Sequence, residues 1–402
     1  MPDFRPFEAL RYADGIDLEA VLSPPYDVLS SWDVEQLYAR HRYNITHVDV
    51  PADQDYDAAA DLLNSWVESG VLIGDRDPAL SIYRMEFGDA SGGRRQIVGV
   101  LGGLEVVDEP GANRAGTTVL GHERVTLKAT TDRLDLTRAT ATNMSAVWGL
   151  SLADGLTAAL RQPGQLQGEI EVDGVTHRVE RIVEPARIEA IRAILASDDV
   201  LIADGHHRYG VARLYRDEVR ASTGRIDSPA EQTLAFISEL VEDQLCIEAI
   251  HRLYSQVTAF DLRAGLATCF EFAPAGKPTP AVLAAMVESD RLVLVWPDGS
   301  AEWLIPRAGA FESVRALDGL WLETALAETA TNLTYQHGFA QTLDELASGN
   351  HTAAVLIRAT SIAEIRRTAR ERLLMPPKST FFTPKPLTGW VLRPMCPVGN
   401  TS

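Results

Sequence analysis

Residues 199–209, DVLIADGHHRY, most restrict what this chain can fold into: a short apolar run, an acid, a glycine and then a helical pattern. Val200 to Ala203 has the length and branching of a buried strand, and the spacing after Gly205 predicts a helix to about Arg220. A strand that turns through glycine into a helix start offers backbone N–H groups and the positive end of the helix dipole to an anion. Asp204 is the expected N-cap, and Gly205 lets backbone and ligand approach closely. The turn also carries two imidazoles, His206 and His207, and a guanidinium, Arg208. A cation in the first helical turn opposes the dipole, so Arg208 requires a counter-ion, and a bound phosphate or carboxylate would be one. The competing reading is a capped helix whose polar residues face solvent.

At 402 residues the chain is long for one core, and two domains are expected. Its 46% hydrophobic and 23% charged residues fit a globular protein. The net charge of −19 argues against general nucleic-acid binding, although a few local cations can invert the field inside a pocket. No charged-plus-apolar leader opens the sequence, and no apolar run approaches the length of a membrane span. Cys246, Cys269 and Cys396 are scattered without metal spacing and are expected to be small buried hydrophobes in a reducing, cytoplasmic setting.

In chain order, SPPYDV (residues 23–28) is a rigid extended strap, because two prolines fix φ and remove donors; it would hold Tyr26 and Asp27 over a pocket or cover a sheet edge. Helices are expected over 31–42, with Ser31 as cap, and over 55–69, with a strand over 44–51 between them. Residues 80–87 and 96–106 read as a hairpin, and residues 117–120 as a strand that delivers His122 and Glu123. A polar helix at 130–142 follows, then a hairpin about Asp173-Gly174 and a helix over 184–195. The class is α+β with substantial antiparallel content. Residues 273–280, APAGKPTP, are the expected linker. The resulting division is a domain over 1–272, a smaller α+β domain over 281–374 and a proline-rich arm over 375–402. Within that arm, MPPKSTFFTPKP forbids a helix, yet Met375, Phe381 and Phe382 must pack on something. It either closes the fold or brings Lys378 or Lys385 to a phosphate.

No GxSxG, no P-loop and no Cys beside a His is present. His206 and His207 are adjacent and point about 100° apart on a helix, a poor arrangement for zinc; Mg²⁺ held by carboxylate and phosphate stays open. An anion-binding helix start with Glu123 as an acid, and Arg252, Arg133 and Lys378 as further cations, suits phosphoryl transfer, where positioning and charge neutralisation do most of the work.

The segments SPPYDV, HERVT with DRL, ADGHHRY, IHRL and MPPKSTFFTPK together resemble domain-of-unknown-function family 1015, a family related to the free serine kinases. The DGHHR loop is in turn similar to the phosphate loop of the ParB and sulfiredoxin superfamily, implying a ParB/sulfiredoxin-like core for the N-terminal two thirds. By this resemblance Asp204, His206, His207 and Arg208 would cradle nucleotide phosphates, with Mg²⁺ on Asp204 and ADP or ATP as donor. Glu123 would be the base for a seryl hydroxyl, with Gly205, Arg252 and Lys378 toward phosphate and Tyr26, Asp27, His122, Ser379 and Thr380 toward substrate or lid. The implied activity is a nucleotide-dependent phosphotransferase acting on free serine or phosphoserine. Two alternatives stand beside it: a phosphoserine phosphatase using the same pocket, and a non-catalytic nucleotide-binding regulator. A sulfiredoxin-like reductase is disfavoured, because His206 stands where a reactive Cys is needed.

Overall fold

The structure, a computed structural model, describes every residue except 89–92, 109–117, 122–129, 374, 377 and 397–402. It is mixed α and β, with mostly antiparallel strands. The chain forms two compact units: Met1–Leu245 with Arg366–Leu374 and Pro384–Ser402, and Cys246–Ile365 with Met375–Thr383.

The sheet of the first unit has nine strands among the described residues. Eight lie in the order Val119–Leu120, Val200–Asp204, Val147–Ser151, Gln232–Glu239, Arg94–Glu105, Leu80–Gly88, Val175–Ile182 and Gln165–Val172, and Phe4–Arg5 pairs with the end of Arg94–Glu105. Two pairs are parallel: Val200–Asp204 with Val119–Leu120, and Gln232–Glu239 with Val147–Ser151. Both expected hairpins are present. Asp173 and Gly174 have φ of 51° and 76°, the two positive values of the tight turn that follows the twist of a hairpin. Ile202, Val147 and Ile237 of the sheet pack with Ile188, Ile191 and Leu195 of the helix Pro185–Ala196. Burying each such side chain stabilises by about 1.5–3 kcal/mol. Gly149 lets this face close, since a Cβ there would stand 2.5 Å from Ile237 Cδ1 and 2.8 Å from Val200 Cγ1.

Residues 44–51 are not a strand. Thr46–Asp49 is a short helix, and Asn44 is the reason. Its Nδ2 donates to Ala20 O at 2.8 Å, and its Oδ1 accepts from Thr46 N at 3.0 Å, which turns the chain locally. Ser30, not Ser31, caps the helix Ser31–Arg40: Ser30 Oγ accepts from Asp33 N at 3.2 Å while Asp33 Oδ2 accepts from Ser30 N at 2.8 Å. Within the SPPYDV strap, Tyr26–Val28 closes one 3₁₀ turn.

The second unit is built on a six-stranded antiparallel sheet in the order Phe270–Gly276, Ala301–Pro306, Leu292–Val295, Ala353–Leu356, Ile250–Ser255 and Asn332–His337. Alternation loads both faces. Leu292 and Leu294 pack with Leu262 and Leu322, whereas Val293 and Val295 pack with Met286 and Leu346. The expected linker is therefore structured, its first half lying in Phe270–Gly276 and its last residue opening the helix Pro280–Ser289. Phe270–Gly276 is an edge strand, and a proline without an N–H is tolerated there; the register also shifts between Pro274 and Gly276. In the tail, Met375 and Phe382 are buried, and Phe381 stacks on His337 with ring centroids 4.4 Å apart. Phe381–Thr383 pairs with Cys246–Glu248. The cysteines depart from expectation: Cys246 and Cys269 are half-buried and Cys396 is exposed. Among the described residues no helix is long and apolar enough to cross a membrane.

Candidate functional site

The strand Val200–Asp204 meets the helix His206–Thr223 at Gly205. Against Val147–Ser151 the register shifts, Ile202 facing Gly149 and Asp204 facing Trp148, so the strand bulges at Ala203 and re-aims Asp204. Gly205 has φ of 85°, and a Cβ on it would stand 2.9 Å from Arg208 Nε. Glycine is needed there twice over, by the backbone and by the guanidinium folded across it. Tyr209 locks the first turn to the sheet: its hydroxyl accepts from Val107 N at 2.8 Å and donates to Glu105 O at 2.9 Å.

Gly205, not Asp204, occupies the N-cap position, and no side chain caps the helix. The Asp204 carboxylate is engaged by cations instead. Its Oδ2 accepts from Arg208 Nη2 at 2.5 Å, and its Oδ1 accepts from Lys385 Nζ. Arg208 Nη2 also reaches Asp27 Oδ2 at 3.2 Å, and Nη1 donates to Ala146 O. The counter-ion that Arg208 requires is thus supplied by the chain itself. Burial pushes the Asp204 carboxyl up, but Lys385 and Arg208, helped by His206, outweigh it and hold the group well below the usual carboxylate range. For Arg208, desolvation favours the neutral form, and Asp27 and Asp204 reverse that.

Two proline-flanked segments deliver these partners. Ser23 N donates to Thr388 O at 3.3 Å and Thr388 N donates to Ser23 O at 2.8 Å, pairing the strap that carries Asp27 with the one that carries Lys385. Leu387 N donates to Tyr83 Oη at 3.0 Å. Behind Arg208, the Arg133 guanidinium lies 4.1 Å from the Tyr26 ring centre and donates to Asp49 Oδ1 at 2.8 Å and Asp49 O at 2.6 Å. Burial pushes the Tyr26 phenol up to about 12, with Arg208 and Arg133 pulling the other way. Tyr26, Asp49, Arg133, Ser145 and Arg208 line a cavity of about 50 Å³, room for one or two water molecules. Side-chain exposure rises from 10% at Arg208 to 21% at Asp204 and 36% at Asp27, so the carboxylates form the solvent side.

The structure therefore brings together Tyr26, Asp27, Asp204, Gly205 and Arg208, with His206 and His207 half-buried in the first turn. His122 and Glu123 lie outside the described residues. Arg252, Lys378, Ser379 and Thr380 belong to the second unit. There Arg252 donates to Ile250 O at 2.6 Å and Lys378 O at 3.2 Å and lies 4.5 Å from the Tyr335 ring centre. Ser379 Oγ donates to Pro376 O at 2.7 Å. Lys378 is exposed and Thr380 is buried. Asp49 was missed, because it falls in the span read as a strand; Ser145 and Thr388, whose hydroxyl oxygens lie 2.8 Å apart, carried no motif.

As a Mg²⁺ ligand Asp204 does not fit in this arrangement, since cations occupy both of its oxygens. Among the described residues no group of three or more His, Cys, Asp or Glu is placed to hold a metal ion.

No curated protein matches the chain. Among solved structures it is similar to a conserved hypothetical protein from Pyrococcus furiosus, with 11% identity and a TM-score of 0.36 over 66% of this chain and 87% of that one. A free serine kinase in complex with AMP gives 11% identity and a TM-score of 0.36 over 66% and 83%. SbnI with a C-terminal truncation, from Staphylococcus aureus, gives 11% and 0.39 over 75% and 90%. Scores this low establish no shared mechanism. The sequence profile of one family matches residues 4–320, and on that match the chain belongs to the DUF1015 family of proteins of unknown function.

Proposed function

We propose that the first unit is a nucleotide-dependent phosphotransferase for a small molecule, with free serine and phosphoserine as the substrate pair and ADP or ATP as donor. The observation that carries this reading is the uncapped start of an 18-residue helix with Arg208 and Lys385 gathered on one carboxylate beside it. Such a start binds phosphate through its backbone N–H groups and dipole, and neighbouring cations neutralise the transferring group. The resemblance of the DGHHR loop to the ParB and sulfiredoxin phosphate loop supports the same assignment. The ligand approaches from the Asp27 side, because the cavity behind Arg208, about 50 Å³, is too small for a phosphoryl substrate. In this reading Glu123 is the base, Mg²⁺ arrives with the nucleotide phosphates and not on a protein carboxylate cage, and the protein works in the cytoplasm.

The test is a thermal-shift screen of nucleoside mono-, di- and triphosphates, with and without Mg²⁺ and serine, followed by ³¹P NMR of the mixtures that shift. Asp204→Ala and Arg208→Ala are expected to abolish turnover, and Glu123→Gln to lower kcat more than nucleotide affinity. Phosphoserine turnover without nucleotide would convert the reading to a phosphatase. Nucleotide binding without turnover would convert it to a regulator, a reading that the self-neutralised Arg208 favours. No shift with any nucleotide would end it.

A further inference from the structure

Resting on that reading of the site, we propose that Lys385 is a ligand of the bound phosphoryl group, and that Asp204 and Asp27 are resting counter-ions for which a dianion exchanges. Four groups make the case. Arg208 and Lys385 contribute two positive charges, Asp204 and Asp27 two negative ones, and ion pairs join all four. Among the described residues these four charges cancel, which favours two cations sitting with side chains only 10% and 12% exposed. A phosphate monoester replaces both carboxylates charge for charge, and pyrophosphate, which carries at least two negative charges near neutral pH, also covers both cations. A phosphate diester or a simple carboxylate covers one cation and leaves the other bare. The site therefore selects dianions, a property that a helix start alone does not have.

Lys385 is built for that part. Pro384 and Pro386 fix the backbone on either side of it, and Leu387 and Thr388 are hydrogen-bonded to Tyr83 and Ser23. The ammonium is thus held by its strap as well as by Asp204. An ammonium is a point charge with three donors, so it can turn to a phosphoryl oxygen without moving its stem. Asp27 sits on an exposed single turn and is the carboxylate that can swing clear.

The experiment is calorimetric titration of the full chain with pyrophosphate in chelator-treated, metal-free buffer at fixed ionic strength. Lys385→Met is expected to weaken binding about 10-fold or more, with Lys385→Arg restoring most of it. Asp204→Asn is expected to tighten binding about 10-fold, because it removes the competing carboxylate. The double variant Asp204→Asn/Lys385→Met keeps the cluster balanced if the single lysine variant misfolds, and it should bind about 10-fold more weakly than Asp204→Asn. Acetate and a phosphate diester should not bind measurably. Wild-type affinity in Lys385→Met, with affinity lost in Arg208→Ala, would make Lys385 structural and leave the site standing. Weaker binding in Asp204→Asn would make Asp204 a ligand contact and overturn the exchange. Wild-type affinity in Arg208→Ala would remove the site altogether.

Discussion

Arg208 and Lys385 hold opposite oxygens of the Asp204 carboxylate, one from the helix that Asp204 precedes and the other from a strap 181 residues further along the chain. A local ion pair of the first kind can form as soon as the helix does. The second forms only when the end of the chain has docked, so the carboxylate reports whether the site is complete. Burial alone would raise this carboxyl, and the two cations reverse that direction.

That depression carries a pH signature. The folded pKa of Asp204 lies below its unfolded value, so its stabilising contribution is present above the ordinary carboxylate range and is lost as pH falls through that range and below it. Asp204→Asn should melt at a lower temperature than the wild type near neutral pH, and the gap should narrow on acidification below about pH 4. A gap independent of pH would show that the carboxylate is not the group whose charge matters.

His177 gives a second window at higher pH. Its Nδ1 lies 2.8 Å from Tyr83 Oη, and burial lowers its pKa to about 4 from 6.5. The unfolded chain takes up a proton that the folded one refuses, so stability is full above pH 6.5 and falls as pH drops toward 4. The loss is about 3 kcal/mol at most. Thermal melts of His177→Gln across this range should be flatter than wild type. His251 of the second unit, also lowered to about 4 by burial and by Arg252, predicts the same for that unit.

Gly205→Ala tests the turn itself. The backbone is left-handed, which costs a non-glycine residue about 1–2 kcal/mol, and the new Cβ would stand 2.9 Å from Arg208 Nε. The expected result is a lower melting temperature together with weaker pyrophosphate binding, as the guanidinium is pushed aside. Weakened stability with unchanged affinity would mean that Arg208 does not touch the ligand.

Tyr209→Phe is the matching control. Its hydroxyl bridges Val107 N and Glu105 O, and removing it leaves a buried donor and acceptor without their partner, a loss of about 1–3 kcal/mol. Urea titration should show the loss, while pyrophosphate affinity measured well below the transition stays near wild type.

Much of the fold is legible in short-range pattern. The Asp173-Gly174 turn, the apolar runs of Leu80–Gly88 and Arg94–Glu105, and the strand-to-helix turn at Gly205 are decided by residues a few positions apart. Residues 44–51 alternate like a strand, and their helix depends on Asn44 reaching Ala20 and Leu22, carbonyls that periodicity cannot see. A proline-bearing edge strand and a linker have the same composition, so Phe270–Gly276 was hidden for the same reason. At the site, DGHHR announced Arg208 and Asp204, but the other partners, Asp27, Ala146 and Lys385, are not local. Nothing near Lys385 marks it above Lys378 except a proline on each side, and the choice of Asp204 as cap failed because Arg208, four residues on, and the distant Lys385 together offer that carboxylate more than a backbone N–H does.

The strand Arg393–Pro394 pairs with Thr142–Asn143, and the Lys385 strap pairs with Ser23. The first unit is therefore assembled from both sides of a long insertion: all of Cys246–Ile365 is synthesised before the pieces that finish it. On the ribosome, Met1–Leu245 must wait with an unzipped seam and an Asp204 without its Lys385 partner. A fragment ending before Pro384 would leave Thr142–Asn143 without its strand partner, an open edge of the kind that pairs with other chains.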